Sequence, residues 1–241
     1  MTSESVDLTI LIPCFNEERY IEATLEEVIA ALKEVELSYE ILVIDDQSTD
    51  STFAVAERWQ KDHRNVNLTV KRNLKNRGLS RTYVDGAFLG RGKYYRLVCG
   101  DNVESRETLV KILRKIGEAD MIIPYHPIVP GKGITRLFLS KAYTMLVNTI
   151  SGYNLRYYNG LAVHLRYNVM RWGPYSFGFG FQAELVTRLL DEGATYVEIP
   201  VEATHVEKDA RASAINWRNI LSVMHSLLEL LVRRIRRQTF G

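Results

Sequence analysis

The sequence predicts an α/β fold: a mostly parallel sheet flanked by helices, finished by a C-terminal amphipathic helix. Three observations carry this. Short apolar runs alternate with segments of helical periodicity through the first half of the chain. The runs at Leu8 to Ile12, Ile41 to Ile44 and Tyr94 to Cys99 each stop at or near a polar cluster. Finally, 46% of the 241 residues are hydrophobic, enough for a full core. Strands separated by helical crossovers pair in parallel, because each crossover returns the chain to the same edge.

Taken in order, Leu8 to Ile12 reads as a first strand, ended by Pro13. A helix follows, with Ile21, Leu25, Val28, Ile29 and Leu32 on one face. Ile41 to Ile44 is a second strand, and the polar stretch Asp45 to Asp50 caps a helix carrying Phe53, Val55, Ala56 and Trp59. Val66 to Val70, Tyr94 to Cys99 and Met121 to Pro124 supply three more strands. The second half is less regular. Helices are expected over Thr135 to Ile150 and Gln182 to Asp191, and a strand over Thr195 to Val201. From Trp217 to Arg237 a long helix places Ile220, Leu221, Met224, Leu227, Leu228, Leu231 and Ile235 on one stripe, with four arginines crowding its end.

Composition excludes several classes. A net charge of +2 excludes a nucleic-acid binder driven by global charge. Two cysteines, Cys14 and Cys99, are too few for a disulfide framework and fit a reducing compartment. No secretory h-region opens the chain, and no apolar run approaches the roughly 20 residues that span a bilayer. The expected location is cytoplasmic, with the C-terminal helix offering peripheral contact to the cytosolic face of a membrane. A helix packed on its own domain, or on a second subunit of a homo-oligomer, is the alternative. The five histidines show no metal-binding spacing.

Three strand ends carry acidic or amide clusters: Asn16-Glu17-Glu18, Asp45-Asp46, and Asp101-Asn102 with Glu104. Any one reads as an ordinary cap or turn. Three on successive strands converge at one edge of a parallel sheet, where open α/β folds bind ligands. Oxygen ligands of this kind suit a hard divalent cation, and through it a diphosphate.

The segments Leu8 to Glu18 and Ile44 to Thr52 resemble the first two signatures of family 2 glycosyltransferases of the GT-A fold. Asn76-Arg77-Gly78-Leu79 and Gly86 stand where that family has its Asn-x-Gly segment, and Gly100-Asp101-Asn102 where it has Asp-x-Asp. Phe181-Gln182-Ala183-Glu184 and Val197 to Val201 resemble the branch that glycosylates dolichyl and polyprenyl phosphates. The resemblance covers about residues 7–215 and implies a glycosyltransferase domain over residues 1–215, to which the amphipathic pattern appends a basic helix over 216–241. It implies inverting transfer of a sugar from a UDP- or GDP-linked donor to a lipid phosphate.

It also implies roles. Pro13, Phe15, Glu17, Val43 and Asp45 line the base and ribose pocket. Asp101, Asn102 and Glu104 hold Mg2+ or Mn2+ on the donor diphosphate, with Glu104 compensating for the carboxylate that Gly100 lacks. Arg136, His205 and Arg211 serve the acceptor or phosphate. Glu184 is the carboxylate placed to act as base on a hydroxyl acceptor, the alternative chemistry, whereas an ionised phosphate acceptor needs none. The bland reading of Glu184 is a solvated first-turn carboxylate complementing the helix dipole. Replacement of the first aspartate by Gly100 also feeds a third reading, a non-catalytic sugar-nucleotide binding module.

Overall fold

A computed structural model describes residues 6–127, 134–173, 180–202 and 217–240. Seven strands form one sheet in the order β3-β2-β1-β4-β6-β5-β7. The strands are β1 (Leu8–Cys14), β2 (Tyr39–Asp45), β3 (Leu68–Arg72), β4 (Tyr94–Leu97), β5 (Met121–Tyr125), β6 (Val163–Leu165) and β7 (Tyr196–Pro200). All neighbouring strands pair in parallel except β6, which runs antiparallel between β4 and β5. The fold class expected from sequence is the one observed. The β6 strand was not anticipated: Val-His-Leu is too short to show a period.

The strand runs alternate between two helical layers. Leu8, Ile10 and Ile12 of β1, with Ile41 and Val43 of β2, face α1 (Ile21–Leu32), α2 (Thr52–Asp62) and α4 (Arg106–Leu113). Leu11, Leu42, Ile44, Tyr95 and Leu97 face the other way. There they meet α3 (Leu79–Leu89), α6 (Arg166–Arg171) and α7 (Phe181–Asp191), with Val147 of α5 (Ile134–Ser151) and Leu230 of α8 (Trp217–Phe240). Central parallel strands covered on both faces read as continuous apolar runs, which is why they were legible. Each fully buried leucine or isoleucine contributes about 1.5–3 kcal/mol.

The α4 helix begins where Ser105 accepts a hydrogen bond from the Thr108 N–H (3.4 Å). That cap fixes where the loop after β4 ends and so holds residues 98–104 short. The α8 helix docks on α5 and α7.

Candidate active site

The loops after β1 and β2 are sewn to each other. Asn16 N–H donates to Ser48 Oγ (2.9 Å), and Asn16 Oδ1 accepts from Thr49 N–H (2.8 Å). Glu17 N–H donates to Thr52 Oγ1 (2.8 Å), and Ser51 N–H donates to Glu18 Oε2 (2.9 Å). Asn16 and Gln47 hold φ of 61° and 64°, and Asn102, in the loop after β4, holds 56°. These are the non-glycine residues with positive φ among those described. All three lie beyond the carboxyl ends of β1, β2 and β4, where backbone in a sparsely populated region marks a functional edge.

Asp46 organises a third loop. Its carboxylate is buried and accepts from Asn73 Nδ2 (2.7 Å), Arg77 N–H (2.8 Å) and Gly78 N–H (2.7 Å). Gly78, at φ 77°, then starts α3. Asp45 is fully buried. It accepts from Ser48 N–H and pairs with its register partner on β3, Arg72, at 3.0 Å.

The loop after β4 lies beside β1. Cys14 Sγ senses Glu17, Asp45, Cys99 and Asp101, and burial, then these charges, push its thiol well above the usual range. Burial likewise raises the Cys99 thiol. The two cysteines therefore sit near each other as free thiols, Cys14 buried and Cys99 half-buried. Thr24 of α1 donates to the Gly100 carbonyl (3.0 Å). A side chain at Gly100 would meet Cys14 Sγ at 2.9 Å and the Pro13 carbonyl at 3.3 Å. A carboxylate at this position would be driven into β1, which explains the glycine.

Asp101 is exposed, yet desolvation by the atoms around it raises its carboxyl above the ordinary value, and the nearby Glu104 charge adds to that. Glu104 is anchored from the core: Arg96, fully buried on β4, donates through Nη2 to Glu104 Oε1 at 2.6 Å. Glu104 Oε2 and Asn102 Oδ1 are buried acceptors with no partner. Two carboxylates and an amide oxygen thus gather at one loop, two of their oxygens without a donor. That set fits a hard divalent cation, which takes oxygen ligands. Among the described residues no three His, Cys, Asp or Glu side chains gather as a ready metal cage.

Glu184 occupies the first turn of α7 and is buried, paired with Arg188 at 3.2 Å. It is not the solvated carboxylate of the bland reading. Beside it, Gln182 lies against His164, a fully buried β6 histidine whose charged form burial disfavours, down to about 4.

Of the other residues expected here, Pro13 and Glu17 are half-buried and Phe15 is exposed at the mouth. Val43 departs from expectation: it is wholly buried in the core beneath α1 and α2 and offers a ligand no surface. Asp45 also shows a ligand no open oxygen; it braces the β2 loop through Ser48 and Arg72. The Arg136 side chain, His205 and Arg211 lie outside the described residues. Sequence reading missed Asp46, Arg72 and Arg96 as organisers. Arg96 carried a signal, being a charge inside an otherwise apolar strand run.

The model of the glycosyl transferase family 2 matches residues 9–174. The chain belongs to glycosyl transferase family 2. It is similar to a dolichyl-phosphate β-glucosyltransferase of Dictyostelium discoideum, at 27% identity over 49% of this chain and 38% of that protein. The match therefore spans well under half the relative's length. Among solved structures, a mannosyltransferase of Pyrobaculum calidifontis in complex with GDP-Man and Mn2+ aligns with TM-score 0.66 and 19% identity, over 97% of this chain and 65% of that one. A glucosyl-3-phosphoglycerate synthase of Mycobacterium tuberculosis with Mn2+, UDP-Glc and phosphoglyceric acid aligns with TM-score 0.65 and 16% identity, over 95% and 79%. The fold is the GT-A arrangement.

Proposed function

We propose that this glycosyltransferase moves a sugar, with inversion, from a nucleoside diphosphate sugar to a polyprenyl or dolichyl phosphate. The observation that carries the reading is the state of Glu184. Transfer to a hydroxyl needs a base with an accessible oxygen. The carboxylate at the family's base position is instead buried and ion-paired with Arg188. A phosphate monoester acceptor is already ionised and needs no base. The dolichyl-phosphate relative supports the same acceptor class.

The donor would lie across the edge formed by Pro13, Phe15, Glu17 and the loop at Asp101. Asp101, Asn102 and Glu104 would hold a divalent cation, which when bound neutralises charge on the departing diphosphate. Asp46 and the N–H groups of Arg77 and Gly78 fix the loop that leads into α3. Arg96 holds Glu104 at the rim from behind.

The test is a thermal-shift panel of UDP and GDP, each with and without Mn2+, followed by labelled-sugar transfer to polyprenyl phosphate. A ligand at 100 times its Kd adds about 2.7 kcal/mol to stability, well within detection. One nucleotide is expected to raise the melting point, more so with Mn2+. No shift with either nucleotide would overturn the donor site. Glu184→Gln is expected to keep most turnover with the lipid phosphate; near-total loss with donor binding intact would favour a hydroxyl acceptor.

A further inference from the structure

Of the sixteen large apolar side chains exposed among the described residues, ten lie on just two helices, α5 and α8. Phe138 and Met145 of α5 are 70% and 68% exposed, and Met224, Leu228 and Ile235 of α8 are 61%, 58% and 53%. An exposed apolar concentration of this kind marks an interaction surface. The stripe that the sequence places on α8 thus faces mostly outward, with Leu227 the exception among its six described side chains.

The inner face of α8 is occupied by its own protein. Arg233 pairs with Asp191 of α7 at 3.1 Å and donates to Thr187 Oγ1 at 2.5 Å. Arg237 also pairs with Asp191, and Arg234 donates to the Ser151 carbonyl at the end of α5 (3.0 Å). Three of the four arginines crowding the end of α8 are therefore the clamp that seats the helix. Leu230 and Ser226 are buried beneath it. The helix is held firmly with its apolar stripe outward.

Charge decides the occupant. The α5 sequence contains no aspartate or glutamate, and α8 contains one, Glu229, beside five arginines, of which Arg233, Arg234 and Arg237 belong to the clamp. The whole chain has 29 acidic residues and a net charge of only +2, so these helices are a segregated cationic region. Lys141 and Arg236 are exposed on them. In a symmetric pairing of two copies, each would bring the same excess of positive charge to the other. An anionic lipid surface offers both an apolar layer for the stripe and charge for the flanking bases. No described helix is long and apolar enough to cross a membrane, so the contact lies in the plane of the interface.

We infer that the outer face of α5 and α8 docks on the headgroup region of an anionic membrane. This deepens the lipid-phosphate reading, since α7, which carries Glu184, is clamped to the docked helix.

The experiment is flotation of the full chain with vesicles of phosphatidylcholine alone and of phosphatidylcholine mixed equally with phosphatidylglycerol, alongside sedimentation velocity. The chain is expected to float with the anionic vesicles and much less with the neutral ones. Leu228→Glu combined with Ile235→Glu should lower that binding about tenfold or more while the melting temperature and nucleotide shift stay put. Should this pair unfold the protein, Met224→Glu carries the same test. A chain that stays unbound with anionic vesicles would overturn the inference, as would a dimer that these substitutions dissociate. Flotation without any nucleotide shift would leave the docking surface standing and remove the donor reading instead.

Discussion

Arg96 and Glu104 offer a double-mutant cycle whose outcome follows from their burial. The Arg96 side chain has no exposure and that of Glu104 has 13%, with 2.6 Å between Nη2 and Oε1. Removing one partner of a buried pair costs about 3–5 kcal/mol, because the other charge is left without compensation. The two single changes are not equivalent here. Arg96 already carries Nε and Nη1 without partners, so Arg96→Met also removes two unsatisfied donors. Glu104→Leu strands the whole guanidinium in the core. Glu104→Leu is therefore expected at the upper end of that range and Arg96→Met at the lower end. Replacing both by apolar residues of similar size is expected to be near neutral. Urea unfolding of the four proteins measures this, and the double variant should fall short of the summed singles by about 3 kcal/mol or more. Additivity within about 0.5 kcal/mol would refute the argument, since it would mean that the pair is not coupled.

Two further predictions rest on buried groups. His164 titrates near 4 when folded and at its ordinary 6.5 when unfolded, so the unfolded chain binds the proton first. Stability should be full above about pH 6.5 and decline by up to about 3 kcal/mol as pH falls toward 4, and His164→Leu should flatten that limb in pH-dependent denaturation. Asp46→Ala leaves the Asn73 amide and the Arg77 and Gly78 N–H groups without an acceptor. A loss of about 3 kcal/mol is expected, with faster hydrogen exchange confined first to residues 73–78, and unchanged exchange there would sink the assigned role.

The central strands were legible because β1 and β2 are covered on both faces, and burial on both faces forces unbroken apolar runs. Boundaries slipped where the chain leaves the ladder: β3 runs Leu68–Arg72, and β4 stops at Leu97. Val98 and Cys99 are apolar because they pack beside β1, without belonging to a strand. The β6 strand escaped because three residues carry no period, and its antiparallel pairing depends on partners distant in sequence. At the site, strand ends could be located from residue type alone. What each carboxylate does could not, because that depends on neighbours brought in by the fold: Arg72 for Asp45, the residue 73–78 loop for Asp46, Arg96 for Glu104 and Arg188 for Glu184. The outward stripe of α8 was legible as a stripe, while its direction depended on which face the arginines clamp to α7.

The cross-sewn loops after β1 and β2 have a consequence for engineering. Asn16, Glu17 and Glu18 each exchange hydrogen bonds with the stretch from Ser48 to Thr52. Neither segment is complete alone: transplanting residues 14–18 from another enzyme would leave hydroxyls and N–H groups of residues 48–52 facing the wrong partners, and the reverse holds equally. For the purpose of transplanting this edge of the sheet between related chains, the two segments form a single exchangeable cassette, separated by some thirty residues of chain yet inherited usefully only as a unit.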